Sequence, residues 1–168
     1  MKPLVSIIMG STNDWTVMEQ CAKTLNDFEI PFEVNALSAH RTPDIVSVFA
    51  KKAHKRGVKV IIAAAGMAAH LPGVIASMTP LPVIGVPIKA SLEGLDATLS
   101  ILQMPPGIPV ATVAINGAQN AALLAIQILS VGSRTIFKQY EEFKSNLKDK
   151  IVKANEDFSK ITMSFKVN

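Results

Sequence analysis

A single cysteine, Cys21, stands in the 168-residue sequence, and a lone thiol excludes an intrachain disulfide. Its place in a helical pattern makes it a small core residue, with a reactive thiol as the alternative. No apolar run reaches the roughly 18 residues that a membrane span needs, although 49% of the residues are hydrophobic. Aromatic residues make up only 5%, so the basic positions lack the stacking partners of a nucleic-acid surface. The glycine-rich fingerprints of the common nucleotide-binding loops are missing, and no serine sits on a Gly-x-Ser-x-Gly elbow. Three scattered histidines and one cysteine, at no ligand spacing, argue against zinc. Met1-Lys2-Pro3-Leu4 leads straight into a strand pattern without the architecture of a signal peptide. These absences point to a soluble cytoplasmic protein.

The net charge of +4 is unevenly placed. Up to Ser130 there are nine basic and eight acidic residues; from Val131 onward there are eight and five. The excess therefore belongs to the tail, where alternating signs suit a solvated helix face.

Five short strand-like runs, most of them apolar, alternate with helical patterns. Leu4–Met9, Phe32–Leu37, Val58–Ala64, Pro82–Val86 and Pro109–Ile115 read as strands. The first helix carries Trp15, Met18, Ala22, Leu25 and Phe28 at steps of three and four, and the second carries Ile45, Val48, Phe49 and Ala53 on one face. A short helix follows Pro72 through Met78, another spans Leu92 to Leu102, and an alanine-rich one spans Ala118 to Leu129. Such alternation predicts a parallel sheet with helices on both faces, doubly wound in the flavodoxin-like order. No linker divides the chain, which reads as one domain over 1–168: an α/β core over 1–130 and a helical extension over 131–168. In the extension, Ile136, Tyr140, Phe143, Leu147 and Ile151 form a narrow stripe. Its partner is either its own domain or a neighbouring subunit. Residues after Asn155 are expected to fray.

Ser38-Ala39-His40-Arg41-Thr42-Pro43-Asp44 lies between the second strand and the second helix. Pro43 suits a first helical turn and Thr42 an N-cap. His40 and Arg41 thus fall at the C-terminal end of a strand, where open α/β sheets bind ligands. An imidazole ordinarily titrates near pH ~6.5 and can give or take a proton; a guanidinium is a planar fork for phosphate or carboxylate. Gly10-Ser11-Thr12-Asn13-Asp14 opens the first helix and can hold a phosphate on its free amides. The plainer alternative is an N-cap made by Ser11, Thr12 or Asn13. Asp14 suits capping or the hydroxyls of a ribose. His70 lies on the matching loop of the third strand, among small residues that let a ligand approach the backbone. His54, in a basic helix, is expected to face solvent.

Met9-Gly10-Ser11 with Asp14-Trp15, Ser38-Ala39-His40-Arg41-Thr42-Pro43, Ala68-Ala69-His70-Leu71-Pro72-Gly73, Gln103-Met104-Pro105 with Gly107-Ile108-Pro109-Val110, and Asn120-Ala121-Ala122-Leu123-Leu124 occur in this order. Together they resemble the class I N5-carboxyaminoimidazole ribonucleotide mutases of purine biosynthesis, from about residue 4 to 130. The resemblance implies a three-layer αβα subunit, a homo-octamer with sites near subunit contacts, and an isomerase using no ATP, biotin or metal. It implies His40 as the proton-transfer residue, with Ser11, Asp14, Ser38 and Arg41 binding the ribose phosphate end. His70 would position the carboxylate or CO2, with Gly10, Gly66 and Leu71 also contacting substrate. A carboxylase of aminoimidazole ribonucleotide using free CO2 is the first alternative, and a non-enzymatic flavodoxin-like phosphate-binding module the second. Ala64-Ala65-Gly66-Met67 departs from the glycine-rich segment of the family, so Met67 either narrows the pocket or turns away from it. The loop from Asn116 to Gln119 is shorter than the family pattern, and the tail matches none of its motifs.

Overall fold

The computed structural model describes residues 1–167. Five strands, β1 (Val5–Met9), β2 (Phe32–Ala36), β3 (Val60–Gly66), β4 (Val83–Ile88) and β5 (Ala111–Thr112), form one sheet in the order β2-β1-β3-β4-β5. Every pairing is parallel. This is the flavodoxin-like order expected from the alternation, with its reversal of winding between β1 and β3. Six α-helices connect and follow the strands: α1 (Trp15–Asp27), α2 (Pro43–Arg56), α3 (Leu71–Ala76), α4 (Leu95–Leu102), α5 (Ala118–Ser130) and α6 (Arg134–Ser159). Among the described residues no helix is long and apolar enough to cross a membrane.

β1, β3 and β4 are buried almost throughout because helices cover both faces of the sheet. On one face Val5, Ile7, Val60, Ile62 and Ile84 meet α1 and α5. On the other, Ile8, Ile61, Ala63 and Val83 meet α2, α3 and α4. Ala118, Ala121, Ala122 and Ala125 keep the buried side of α5 thin, so that α1 and the sheet approach it closely. Cys21 is fully buried in this layer, and burial pushes its thiol up to about 12. It is a core residue.

Several local expectations need correction. α2 buries Val46, Ala50 and Ala53, whereas Ile45 and Val48 are 55% and 52% exposed; the buried stripe is turned by about one residue. Trp15 is also half-exposed rather than inside the α1 face. α4 starts at Leu95, because Leu92, Glu93 and Gly94 all have left-handed backbones. β5 shrinks to two paired residues at the sheet edge, with Pro109 just before it lacking a ladder donor. Thr42 makes no side-chain cap on α2.

The stripe of α6 divides. Ile136, Tyr140 and Phe143 pack on the chain's own core, with the rings of Tyr140 and Phe143 centred 6.3 and 5.5 Å from Phe28. Leu147 and Ile151 remain exposed. The helix continues to Ser159, past Asn155, where fraying was expected. His54 is exposed, as its basic surroundings suggest.

At the amino end of the sheet, Glu33 accepts hydrogen bonds from Ser6 Oγ (2.8 Å) and Arg56 Nη1 (2.6 Å). Burial pushes the Glu33 carboxyl up, but those bonds and the Arg56 charge together hold it below the ordinary value. The folded chain therefore binds fewer protons here than the unfolded one. The resulting stability is complete above the unfolded carboxyl pKa, about 4.3, and is lost as pH falls through the lower folded value. Glu33→Gln should flatten the acid limb of a urea-unfolding pH series while changing stability less per pH unit there; an unchanged acid slope would contradict this account.

Candidate functional site

The carboxyl ends of β1 and β2 are level and β3 runs two residues further, since Met9 pairs with both Ala36 and Ala64 while β3 continues to Gly66. The loops leaving them therefore open on the same side, and β4 adds its own loop after Ile88. Between them lies a cleft of about 710 Å³, at the point where the winding reverses. Gly10, Ser11, Asp14, Ser38, His40, Arg41, Gly66 and Leu71 all line it. His70 does not line it, but its Nδ1 lies 2.8 Å from His40 Nε2, with the two rings edge to face.

The β1 loop is shaped by a reciprocal cap. The Asn13 N–H donates to Ser11 Oγ (3.2 Å) and the Ser11 N–H donates to Asp14 Oδ2 (3.1 Å), which together form a capping box on a short 3₁₀ turn over Thr12–Asp14. Ser11 is thus the capping side chain. Asp14 is buried; burial raises its carboxyl pKa against the opposing pull of the Ser11 N–H and the Arg41 charge.

The β2 loop is braced from within. Thr42 Oγ1 accepts the Ser38 N–H (3.0 Å) and donates back to the Ser38 carbonyl (3.0 Å). The threonine hydroxyl therefore closes the loop instead of capping α2. Ser38 Oγ accepts from both the N–H and Nε of Arg41 (3.2 and 3.3 Å), and Arg41 Nη2 donates to the Gly10 carbonyl at 2.6 Å. Arg41 is accordingly fixed across the top of β1 while remaining exposed to the cleft.

At the His40–His70 contact one nitrogen carries hydrogen and the other offers a lone pair. The two rings share one proton there, and the tautomer of each depends on the other. His40 keeps a second nitrogen for a ligand. The β3 loop supplies the remaining wall. Gly66 lies close beneath β4, where a Cβ would come within 3.2 Å of the Ile88 carbonyl. Met67, with φ of 56°, is 58% exposed and lines the cleft. Among the described residues no three His, Cys, Asp or Glu side chains converge as metal ligands would.

Sequence reasoning missed Lys89, which lines the cleft from the loop after β4. The rule that selects His40, a polar residue on the loop at the carboxyl end of a strand, finds Lys89 once β4 is carried to Ile88 rather than stopped at Val86.

A doubly wound parallel sheet with an imidazole, a guanidinium and a capped turn converging at its switch point defines a flavodoxin-like α/β protein with a ligand cleft. The chain belongs to the AIR carboxylase family, whose model matches residues 4–150 and so extends into α6. It is similar to the N5-carboxyaminoimidazole ribonucleotide mutase of Pyrococcus horikoshii, at 56% identity over 151 residues, covering 89% of this chain and 85% of that one. The protein of the same name from Saccharolobus solfataricus is 53% identical over 151 residues, covering 89% and 96%. The phosphoribosylaminoimidazole carboxylase of Saccharomyces cerevisiae is 57% identical over 144 residues, but these cover 85% of this chain and only 25% of that one. Among solved structures, Treponema denticola PurE superposes with a TM-score of 0.83 at 32% identity, covering 96% of this chain and 100% of that one.

Removing the Thr42 hydroxyl should loosen the loop that carries His40 and Arg41. Thr42→Val should speed amide hydrogen exchange at Ser38 severalfold, in line with a net hydrogen-bond contribution of about 1 kcal/mol. Unchanged protection at Ser38 would show that the loop is held by other contacts.

Proposed function

We propose that this chain isomerises N5-carboxyaminoimidazole ribonucleotide to 4-carboxyaminoimidazole ribonucleotide in purine biosynthesis. The observation that carries the reading is His40, presented to a cleft beside a fixed Arg41 and a capped turn, in a chain 56% identical to a mutase over most of its length. On this reading Arg41, Ser11 and Ser38 hold the phosphate end of the nucleotide, and Asp14 takes the ribose hydroxyls. Gly10, Gly66 and Leu71 supply close backbone or apolar contact, and His70 stands behind His40.

The chemistry follows from the substrate. Its carbamate N–C bond is labile; breaking it releases CO2, and a proton delivered to the nitrogen leaves neutral aminoimidazole. C4 of that electron-rich ring then attacks the CO2 carbon. Confinement in the cleft makes the recombination effectively unimolecular. C4 now bears both hydrogen and carboxylate, and loss of its proton restores aromaticity. One proton enters and one leaves, so His40 can supply the first and accept the second. Acid–base help of this kind contributes about a hundred- to ten-thousandfold. The phosphate anchor contributes from a distance, through binding energy that positions the ring.

His40→Asn should lower kcat by at least about a hundredfold while the purified variant still binds the nucleotide; near-normal turnover would refute the proton-transfer role. Arg41→Ala should weaken nucleotide binding about tenfold, the scale of a lost charge-assisted hydrogen bond, with little effect on the corresponding nucleoside. Equal losses for both ligands would remove the phosphate assignment. Turnover of aminoimidazole ribonucleotide at low bicarbonate, with none of the carbamate, would replace the isomerase by a carboxylase.

The working assembly on this reading is a homo-octamer, in the cytoplasm. Exposed Leu147 and Ile151, and the row of Leu92, Leu95, Leu99 and Leu102, supply apolar surface for such contacts. Replacing Leu147 and Ile151 together by glutamate spares the intrachain packing of Tyr140 and Phe143. It should lower the mass measured by light scattering without changing circular dichroism; an intact octamer would show that this part of α6 is not at an interface.

A further inference from the structure

The cleft has cations at two separated places. Arg41 serves the β1 and β2 loops, where two of its five N–H donors are committed to Gly10 and Ser38 and three remain for an anion. Lys89 follows β4, two strand intervals beyond β1 in the sheet order, a separation of roughly 10 Å at about 4.8 Å per interval. On the isomerase reading, a nucleotide with its phosphate over the β1 turn would lay its base across β3 toward β4, within the one cleft that Ser11, Gly66 and Lys89 all line. The anionic group at the far end of that base, a carbamate before reaction and a ring carboxylate after it, would then lie beside Lys89.

The structure around Lys89 fits a cation that can change partners. Its backbone is fixed: the Lys89 N–H donates to Asn116 Oδ1 at 2.9 Å, and the Asn116 N–H donates to the Pro87 carbonyl at 2.8 Å. Its ammonium pairs with the Glu93 carboxylate, but the two side chains are 53% and 82% exposed. An ion pair so open to water contributes little. Glu93 itself sits in a left-handed turn with Leu92 and Gly94, outside the cleft-lining residues. Lys89 lines the cleft and Glu93 does not, so the lysine bridges an external carboxylate and the internal space.

We propose that Lys89 is the specificity-determining cation for the substrate's transferable carboxylate, exchanging Glu93 for that group when the nucleotide binds. The assignment rests on the isomerase reading, which places the phosphate over the β1 turn. Lys89 pairs with the carbamate before it departs as neutral CO2, and with the carboxylate once the carbon is bonded to C4. It takes no proton and forms no covalent bond.

The test compares two nucleotides that differ only in the carboxylate: 4-carboxyaminoimidazole ribonucleotide and aminoimidazole ribonucleotide. Lys89→Met should raise the dissociation constant of the carboxylated nucleotide about tenfold by titration calorimetry and change that of the other less than twofold. Lys89→Arg should recover most of the loss, because the charge is restored. Glu93→Gln, which frees the lysine, should bind the carboxylated nucleotide at least as tightly as the unaltered chain. Equal losses for both nucleotides, or no loss for either, would overturn the assignment while leaving the isomerase reading in place. An unaltered chain that binds neither nucleotide would overturn both.

Discussion

The bond from Arg41 to the Gly10 carbonyl ties together the loops that leave β1 and β2. Without it the Ser38 hydroxyl alone would hold the guanidinium, and the β2 loop that carries His40 would lose its tie to β1. The tie is short because the sheet brings the two strand ends level, and it is rigid because Ser38 and Thr42 close the second loop from within. Positioning therefore passes from strand register to loop, from loop to guanidinium, and only then to the imidazole. Side chains held in this way lose less freedom when a ligand arrives, which is the physical content of preorganisation.

The two faces of the sheet contribute differently. The α1 and α5 face is a continuous apolar layer closed by the first half of α6, and it sets the rigidity of β1 and β3. The opposite face places α2 and α3 directly behind the His40 and His70 loops. A histidine pair built on two separate loops depends on both helices being seated. Their seating comes from small residues, Ala50, Ala53 and Ala69, which bring backbone close to backbone.

The strand and helix order is legible because each buried strand is a short, almost wholly apolar run, and parallel strands covered on both faces leave that trace. The convergence of His40, Arg41 and the Ser11 turn was also legible, since strand ends define where loops gather. What escaped notice has local causes. Leu92, Leu95, Leu99 and Leu102 repeat with helical spacing, yet Leu92 belongs to a left-handed turn; periodicity counts side chains and is blind to φ. Ile45 and Val48 looked like core because they are apolar, but the alanines of α2 hold the interior. Thr42 was assigned the cap that its type favours, whereas its hydroxyl is engaged by Ser38, a contact that requires a loop geometry no spacing rule encodes. Lys89 is hidden from a reading that ends β4 at Val86, because the strand runs two residues further, to Ile88.

Cys21 has a consequence for the behaviour of the whole molecule. Its sulfur lies in the apolar layer shared by α1, α5 and the sheet with no exposed surface, and burial disfavours the thiolate that a modifying reagent needs. Reaction at this one sulfur thus requires that layer to open. The chain carries its own built-in clock for that opening, readable by mass as each molecule gains a single label, without any engineered probe.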